Sequence, residues 1–593
     1  MSRLIQQFPG RRRLSLDGVW HFKALDTAPK RPLPNSQYDD ILPVPGVWEA
    51  SFRHFRHRGF GCYQREFEVQ GDVATALRLV FEAVSHTAKV WLDDRFLGSH
   101  RNAYTGFEFC CPQVRPGRHR LTVLADNRPG PGLSLLRHDV DFHIYGGIPR
   151  SVYAEALPVS HITSACALPE FNGRRWELAC QVQVRTQGEA LPKCAEVLVD
   201  GKAVGKIALN REGRGRASVP MAKVERWLPQ SPRLYTAAIR IGDDLWQERV
   251  GFRTLAVRGR QILLNDKLLI LHGVNRHEFH PDFGPALPPA AHLRDMEILK
   301  NLGANCVRGS HYPNDSFFLD LCDENGILFW EELSHWQATP GEMARADFRR
   351  ESLAQIDEMV AQHRHHPSVI FWGMLNEAHS FHPVAPKTFK LFADRFRKLD
   401  STRLITYGSS HPDRDKCFGL LDVVSINTYP GWYNGDLANL EMEIAKVLRT
   451  ARRVSKGKPI LFSEFGAAAI AGAHSFELRR WTEEYQAELM TRVIERLRQS
   501  GLAAGAILWQ FCDCRSSDAL WQTRPGEYNN KGILTAYREP KLAFYRVAEQ
   551  FRKPWRIPES ERGDEEHRAQ GQRRGLKGIR RAAGTGGGHR ESH

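Results

Sequence analysis

Glu377 and Glu464 are the residues of this sequence best placed to do chemistry. Glu377 closes the run "IFWGMLNE" and Glu464 the run "ILFSE", so each carboxylate follows a stretch apolar enough to be a buried strand. A glutamate in that position has a rigid backbone behind it and a head directed past the strand end. Two such groups about 5 Å apart can break a glycosidic bond with retention, one attacking while the other donates and then removes a proton. Either glutamate alone is explained as well by capping a helix or pairing with an arginine. The pair needs a scaffold that brings two distant strands to one place.

That scaffold is legible after "GFRTLAV", where apolar strands begin to alternate with helical stretches. The strands are "LLILHGVN", "ANCVRGS", "ILFWEEL", "VIFWGMLNE", "LITYGSS", "VVSINTY", "PILFSEFG" and "GAILWQFCD". Between them lie amphipathic segments such as "AHLRDMEILKNLG", with apolar residues at helical spacing. Strands and crossovers in that number are the signature of a (β/α)8 TIM barrel, whose chemistry sits at the C-terminal strand ends. Those ends carry Asn275, Arg276, His277 and Glu278; Arg308, Ser310, His311 and Tyr312; Glu331 and Glu332; and Asn376 and Glu377. The later strands add Asn427 and Tyr429, then Glu464, then Trp509, Gln510 and Asp513. Strands four and seven lie opposite one another, so Glu377 and Glu464 can flank one bond. Tyr429, Trp432, Tyr433 and Trp509 suit stacking on a sugar face.

The front of the chain reads differently. Residues 1–155 are short alternating strands divided by Gly, Pro and Asp turns, which predicts a β-sandwich with inward aromatics such as Trp20 and Trp91. Residues 156–255 repeat the style on a smaller scale and predict an immunoglobulin-like β-sandwich. The barrel is expected over 256–553. Residues 554–593 turn charged and glycine-rich, with almost no large apolar side chain, and are expected to be a disordered tail.

Composition narrows the class. A chain of 593 residues is too long for one core. The 11 cysteines are odd in number and irregularly spaced, which favours a reducing cytoplasm over a disulfide framework. The N-terminus lacks the apolar core of a signal peptide, and no apolar run is long enough to span a bilayer. The net charge of +15 is spread along the chain without a nucleic-acid-binding motif, so it is read as solubility and steering. A soluble cytoplasmic protein without nucleic-acid or membrane partners is expected.

With these residues in view, 268–552 resembles family 2 of the glycoside hydrolases. The shared stretches are "GVNRHE", "NLGANCVRGSHYP", "CDENGILFWEE", "VIFWGMLNEA", "FSEFG" and "LWQFCD". "SLDGVWHF", "VPGVWE" and "YGGIPRSVY" resemble the family's sugar-binding sandwich, and "WLPQSPRLYTAAIRI" its immunoglobulin-like domain. The resemblance implies that Glu377 is the acid/base, Glu464 the nucleophile and Asn376 a partner of the sugar 2-hydroxyl. Arg308 would support the nucleophile, and His311, Tyr429 and Trp509 would line the sugar site.

Within the family, "INTYPGWYNGDL" and "NNKGILTAYREPKLAFY" are similar to segments of the beta-glucuronidases. That likeness implies that Asn529 and Lys531 grip the sugar carboxylate, with Asn530 as spacer. It further implies that Asp141 binds sugar hydroxyls and that Tyr433 stands on the carboxylate side, with Arg524 near the grip. Phe465 occupies a position where the family usually has tyrosine. A galacturonide or galactoside stays open as substrate, and so does a carbohydrate-binding protein with an inactive barrel. The short segment "SHWQATPGEMARADFRRE" after strand three implies an open mouth that admits bulky aglycones. The resemblance also implies a homodimer or homotetramer. No cofactor or metal is expected: "EELSHW" lacks the family's divalent-ion pattern, Cys512 and Cys514 have no second pair, and the histidines of "QHRHHPS" are read as helix-end caps.

Overall fold

The structure, a computed structural model, describes residues 3–130 and 139–558. Its first unit is a β-sandwich of a four-stranded and a six-stranded antiparallel sheet. Alternation builds it. In Gly18–Leu25, Trp20 and Phe22 point inward and are fully buried, while His21 between them is exposed. Trp20, Phe22, Trp48, Tyr63, Leu79, Phe81, Val90 and Val123 fill the space between the sheets. A second sandwich follows, with a three-stranded sheet on a four-stranded one around Leu178, Val182, Val197, Ile239 and Trp246.

The barrel strands, labelled here in order, are β1 Leu271–Arg276, β2 Cys306–Gly309, β3 Leu328–Glu332 and β4 Val369–Gly373. They continue with β5 Leu404–Thr406, β6 Val424–Asn427, β7 Ile460–Glu464 and β8 Ala503–Leu508. All pairings are parallel, and β1 closes on β8 with Leu271 opposite Gly505. The fifth strand is broken. Leu404–Thr406 pairs with β4, whereas Gly408–Ser409 pairs with β6, and Tyr407 between them turns its hydroxyl to Asp415.

Two apolar layers hold the barrel. Leu271, Leu328, Trp330, Phe371, Leu461 and Ile507 fill its interior, and Val307, Phe329, Trp372, Ile426 and Phe462 face the helices. The period-two alternation of β3 therefore puts Glu332 inside and Glu331 outside, where Glu331 accepts the Asn314 N–H at 2.7 Å.

The first sandwich docks on the barrel mouth. Arg150 donates to Glu278 at 2.9 Å, Tyr104 stacks on Tyr312 at 4.1 Å, and Glu358 accepts from Asn102 and Thr105. The barrel's own packing extends past residue 553. Arg498 donates to Pro554 O at 2.9 Å, Trp555 lies against His272, and Gln261 donates to Pro558 O at 3.0 Å. The expected start of the tail at 554 is thus too early, because Pro554–Pro558 supplies these contacts; residues 559–593 lie outside the described residues. Among the described residues no helix is long and apolar enough to cross a membrane.

Candidate active site

Glu377 and Glu464 line one cleft of ≈ 710 Å³ at the barrel mouth, with His311, Asn427, Tyr429, Tyr433, Trp509 and Lys531. Glu464 gets there through an irregularity. Ile426 of β6 pairs with Phe462, yet the next residue, Asn427, pairs with Glu464, so Ser463 is an extra residue in β7. Strict alternation from the inward Leu461 would send Glu464 toward the helices; the bulge resets it and aims the carboxylate into the mouth. Glu377 stands beyond the end of β4 with a φ of 49°. That left-handed backbone costs a non-glycine residue about 1–3 kcal/mol. Its N–H is held by Gly408 O at 2.9 Å.

Each carboxylate is oriented at both oxygens. Arg308 Nη1 donates to Glu464 Oε1 at 2.8 Å, and Tyr429 Oη donates to Oε2 at 2.8 Å. Asn427 Nδ2 donates to Glu377 Oε1 at 3.0 Å, and Gln337 Nε2 donates to Oε2 at 3.2 Å. Asn427 is itself fixed, since its Oδ1 accepts from Ser463 Oγ at 2.7 Å.

Arg308 organises the Glu464 side. It is fully buried, lies over Trp330 and donates to Glu332, Asn275, Glu464 and Asn376 at 2.8–3.1 Å. Burial pushes the Glu464 carboxyl up to about 8; Arg308 and Tyr429 oppose the rise and the charge of Glu377 adds to it. A nucleophile calls for neighbours that keep it ionised. Those neighbours are present, and burial outweighs them. Burial likewise pushes Glu332 up to about 7 and the His311 ring well below the ordinary imidazole range. A neutral His311 with its proton on Nδ1 donates to Glu332 Oε1 at 2.6 Å.

Arg308→Gln removes the cation that holds Glu464 down, so the nucleophile's proton is lost only at higher pH. The acid limb of kcat/KM should move alkaline, and stability should fall by about 3–5 kcal/mol because two buried carboxylates lose their partner. A pH–rate profile and a urea melt check both. An unmoved acid limb would mean that Arg308 does not set the nucleophile's charge.

The other end of the cleft is cationic. Lys531 is only 5 % exposed, lines the cleft, and has its Nζ 5.2 Å from the Tyr433 ring centre. No carboxylate among the described residues pairs with it. Its loop is fastened from below. Asp513 accepts from the Gly532 N–H at 2.9 Å and from Lys541 Nζ at 2.8 Å, and Gln510 N–H donates to Lys531 O at 3.0 Å. Gly532 has to be glycine, because a Cβ there would stand 2.1 Å from Asp513 N. Beside this loop, Asp141 of the first sandwich accepts two bonds from Arg524 at 3.0 and 2.7 Å, and others from Asn529 and Ser516.

Several sequence expectations are placed differently. Asn529 is 1 % exposed and does not line the cleft; its amide braces Asp141, so only Lys531 of the expected grip faces the open space. Asn376 also lies behind the cleft wall. Its oxygen accepts from Arg308 and Asn427, and its nitrogen has only a 3.5 Å contact with His311. Arg524 lines the cleft, but its guanidinium is occupied by Asp141, and the Asp141 oxygens are occupied in turn. Trp432 does not stack on the cleft: it is buried against Trp481 and Tyr485.

The "QHRHHPS" histidines link elements rather than cap carbonyls. His363 meets Ser316 and Glu331, His365 accepts the Ala167 N–H, and His366 meets Asp323 at 2.6 Å. Asp320, Asp323 and His366 cluster closely, with Asp320 already paired to Arg3 and Arg249.

Trp336, Gln337, Phe142 and Leu520 also line the cleft and were not singled out in the sequence. Trp336 and Gln337 belong to the short segment after β3. Phe142 follows the aspartate that was noticed. No periodicity marks any of them.

Paired carboxylates in the mouth of a (β/α)8 barrel, walled by aromatics and one uncompensated cation, make a glycosidase site. The chain belongs to glycoside hydrolase family 2: "Glycosyl hydrolases family 2, TIM barrel domain" matches residues 255–554, and the family's sugar binding domain matches 46–158. It is 27% identical to a beta-glucuronidase of Streptococcus agalactiae, over 92% of this chain and 96% of that protein. Among solved structures it resembles a beta-galacturonidase from Eisenbergiella tayi bound to galacturonate, with 34% identity, TM-score 0.86 and coverage of 94% and 100%. It also resembles the Bifidobacterium dentium beta-glucuronidase complexed with coumarin-3-O-glucuronide, with 25% identity, TM-score 0.84 and coverage of 92% and 98%.

Proposed function

We propose that this glycoside hydrolase is a retaining, exo-acting beta-glucuronidase. The observation that carries the substrate class is Lys531, a nearly buried cation in the cleft wall with no carboxylate partner among the described residues. A sugar carboxylate would supply that partner, whereas a neutral hexose would leave a desolvated charge unpaired. Tyr433, 61 % exposed, lies beside the ammonium and could close over the same group.

The reaction follows from the two glutamates. A Glu464 oxygen bonds to C1 while the C1–O bond breaks, and the leaving oxygen takes the proton of Glu377. Water then attacks C1 of the glycosyl ester, Glu377 takes its proton, and the bond to Glu464 breaks. Arg308 and Tyr429 orient the nucleophile for both steps. The chemistry needs no cofactor. We also propose a homo-oligomer, dimer or tetramer, and a cytoplasmic setting, both resting on the sequence.

A second reading, beta-galacturonidase, is favoured by the 34% identity to the Eisenbergiella tayi enzyme against 25% to the Bifidobacterium dentium enzyme. Both readings need the same cation and differ only in the C4 hydroxyl. The test is a panel of 4-nitrophenyl β-glycosides: glucuronide, galacturonide, galactoside and glucoside. Preferential glucuronide turnover supports the first reading and preferential galacturonide turnover the second. Cleavage of a neutral sugar in preference to both uronides would sink the uronate assignment.

A further inference from the structure

Gln337 lies in the segment joining β3 to the helix Pro340–Ala344 and borders the cleft. Its Nε2 donates to Glu377 Oε2 at 3.2 Å, while Asn427 holds Oε1 at 3.0 Å. The two oxygens are therefore in different surroundings. Oε1 faces Asn427, which is buried and tied to Ser463 and Asn376. Oε2 faces the half-buried Gln337 on the cleft side, from which a leaving group has to depart. A carboxylic-acid hydroxyl can accept an amide N–H on its oxygen while its own hydrogen points onward to another acceptor.

The backbone of Gln337 is fastened to the acid/base strand end. Its N–H donates to Asn376 O at 2.8 Å, and Asn376 N–H donates to His335 O at 3.0 Å. Gln337 itself has a left-handed backbone, with a φ of 52°. The carboxamide is thereby carried on backbone hydrogen-bonded directly to the segment that carries Glu377.

We infer that Gln337 is a positioning residue for the acid/base, selecting Glu377 Oε2 as the oxygen that carries the catalytic proton. The inference rests on the reading of Glu377 as acid/base, and not on which sugar is bound. In the first step the proton on Oε2 passes to the leaving oxygen as that oxygen takes the electron pair of the C1–O bond. Negative charge appears on Oε2 at that moment, and the Gln337 N–H is already aimed at it. Its bond strengthens as the charge develops, so the contact stabilises the transition state more than the ground state. A leaving group that departs well as an anion needs little of this help; a poor one needs it fully.

The test is a leaving-group series on whichever β-glycoside the wild type cleaves best, from 2,4-dinitrophenyl through 4-nitrophenyl to phenyl. Gln337→Ala should lower kcat/KM for the phenyl glycoside about tenfold, part of what general acid catalysis supplies, and leave the dinitrophenyl glycoside within about twofold. Gln337→Asn keeps an amide and tolerates the left-handed backbone but falls one methylene short, so it should behave like Gln337→Ala.

An equal loss across the series would show a merely structural role and overturn the inference. A rise in KM that follows aglycone size, with no change in leaving-group dependence, would make Gln337 an aglycone contact and overturn it too. Glu377→Ala is the reference and should show the same dependence more steeply. If it shows none, Glu377 is not the acid/base and the role of Gln337 falls with it, which separates the two failures.

Discussion

Glu464→Gln is expected to lower turnover by about 10⁴-fold or more on every leaving group, because the proposed nucleophile is the group that forms the glycosyl ester. The substitution is nearly isosteric. The new amide would still accept from Arg308 through its oxygen and would donate to the Tyr429 hydroxyl through its nitrogen, so the cleft should keep its shape. A neutral amide also relieves the burial that pushes the native carboxyl up to about 8, while Arg308 keeps Glu332 as a partner. The folded state should therefore survive, and loss of activity without loss of the thermal transition is the informative result. A 2-fluoro glycoside with a good leaving group should label the wild-type peptide containing Glu464 and leave the variant unlabelled. Labelling of Glu377 instead would exchange the two roles. A variant that keeps more than about one-tenth of wild-type activity would exclude the double-displacement reading altogether.

Lys531→Ala should cost uronides at least about 100-fold in kcat/KM, the consequence of leaving a desolvated carboxylate unpaired. Neutral glycosides should be unaffected or slightly improved. The ammonium touches the ring of Tyr433 and no acidic side chain among the described residues, so its removal breaks no ion pair of the resting protein. Asn529→Ala should behave differently. That side chain braces Asp141 rather than facing the cleft, so its loss should loosen the wall shared with Arg524 and weaken all sugars together. Equal losses for uronides and neutral sugars in Lys531→Ala would reduce the lysine to a structural member of the loop.

Much of this was legible in the sequence because it is carried by short-range pattern. Strands such as "VIFWG" and "PILFSE" announce themselves by apolar runs, and a glutamate closing such a run stands at the C-terminal rim of the barrel. The sandwich cores follow from alternation, as Trp20 and Phe22 show. What escaped is whatever depends on a break in the pattern. The Ser463 bulge that redirects Glu464 leaves no trace in composition, and strict alternation would have aimed that carboxylate the wrong way. The break of the fifth strand at Tyr407 is similarly silent. Which polar residues face the cleft and which stand behind it also escaped. Asn376 and Asn529 occupy the expected positions, yet each spends its hydrogen bonds on another protein group. Long-range partners decide that, and adjacent letters do not encode them.

Asp141 makes the cleft wall a joint possession of the sandwich and the barrel. The residue belongs to the first sandwich, while Arg524, Asn529 and Ser516, which clasp it, belong to the far end of the barrel unit. Anyone cutting the barrel free to obtain a smaller enzyme would remove a piece of the cleft wall with the sandwich.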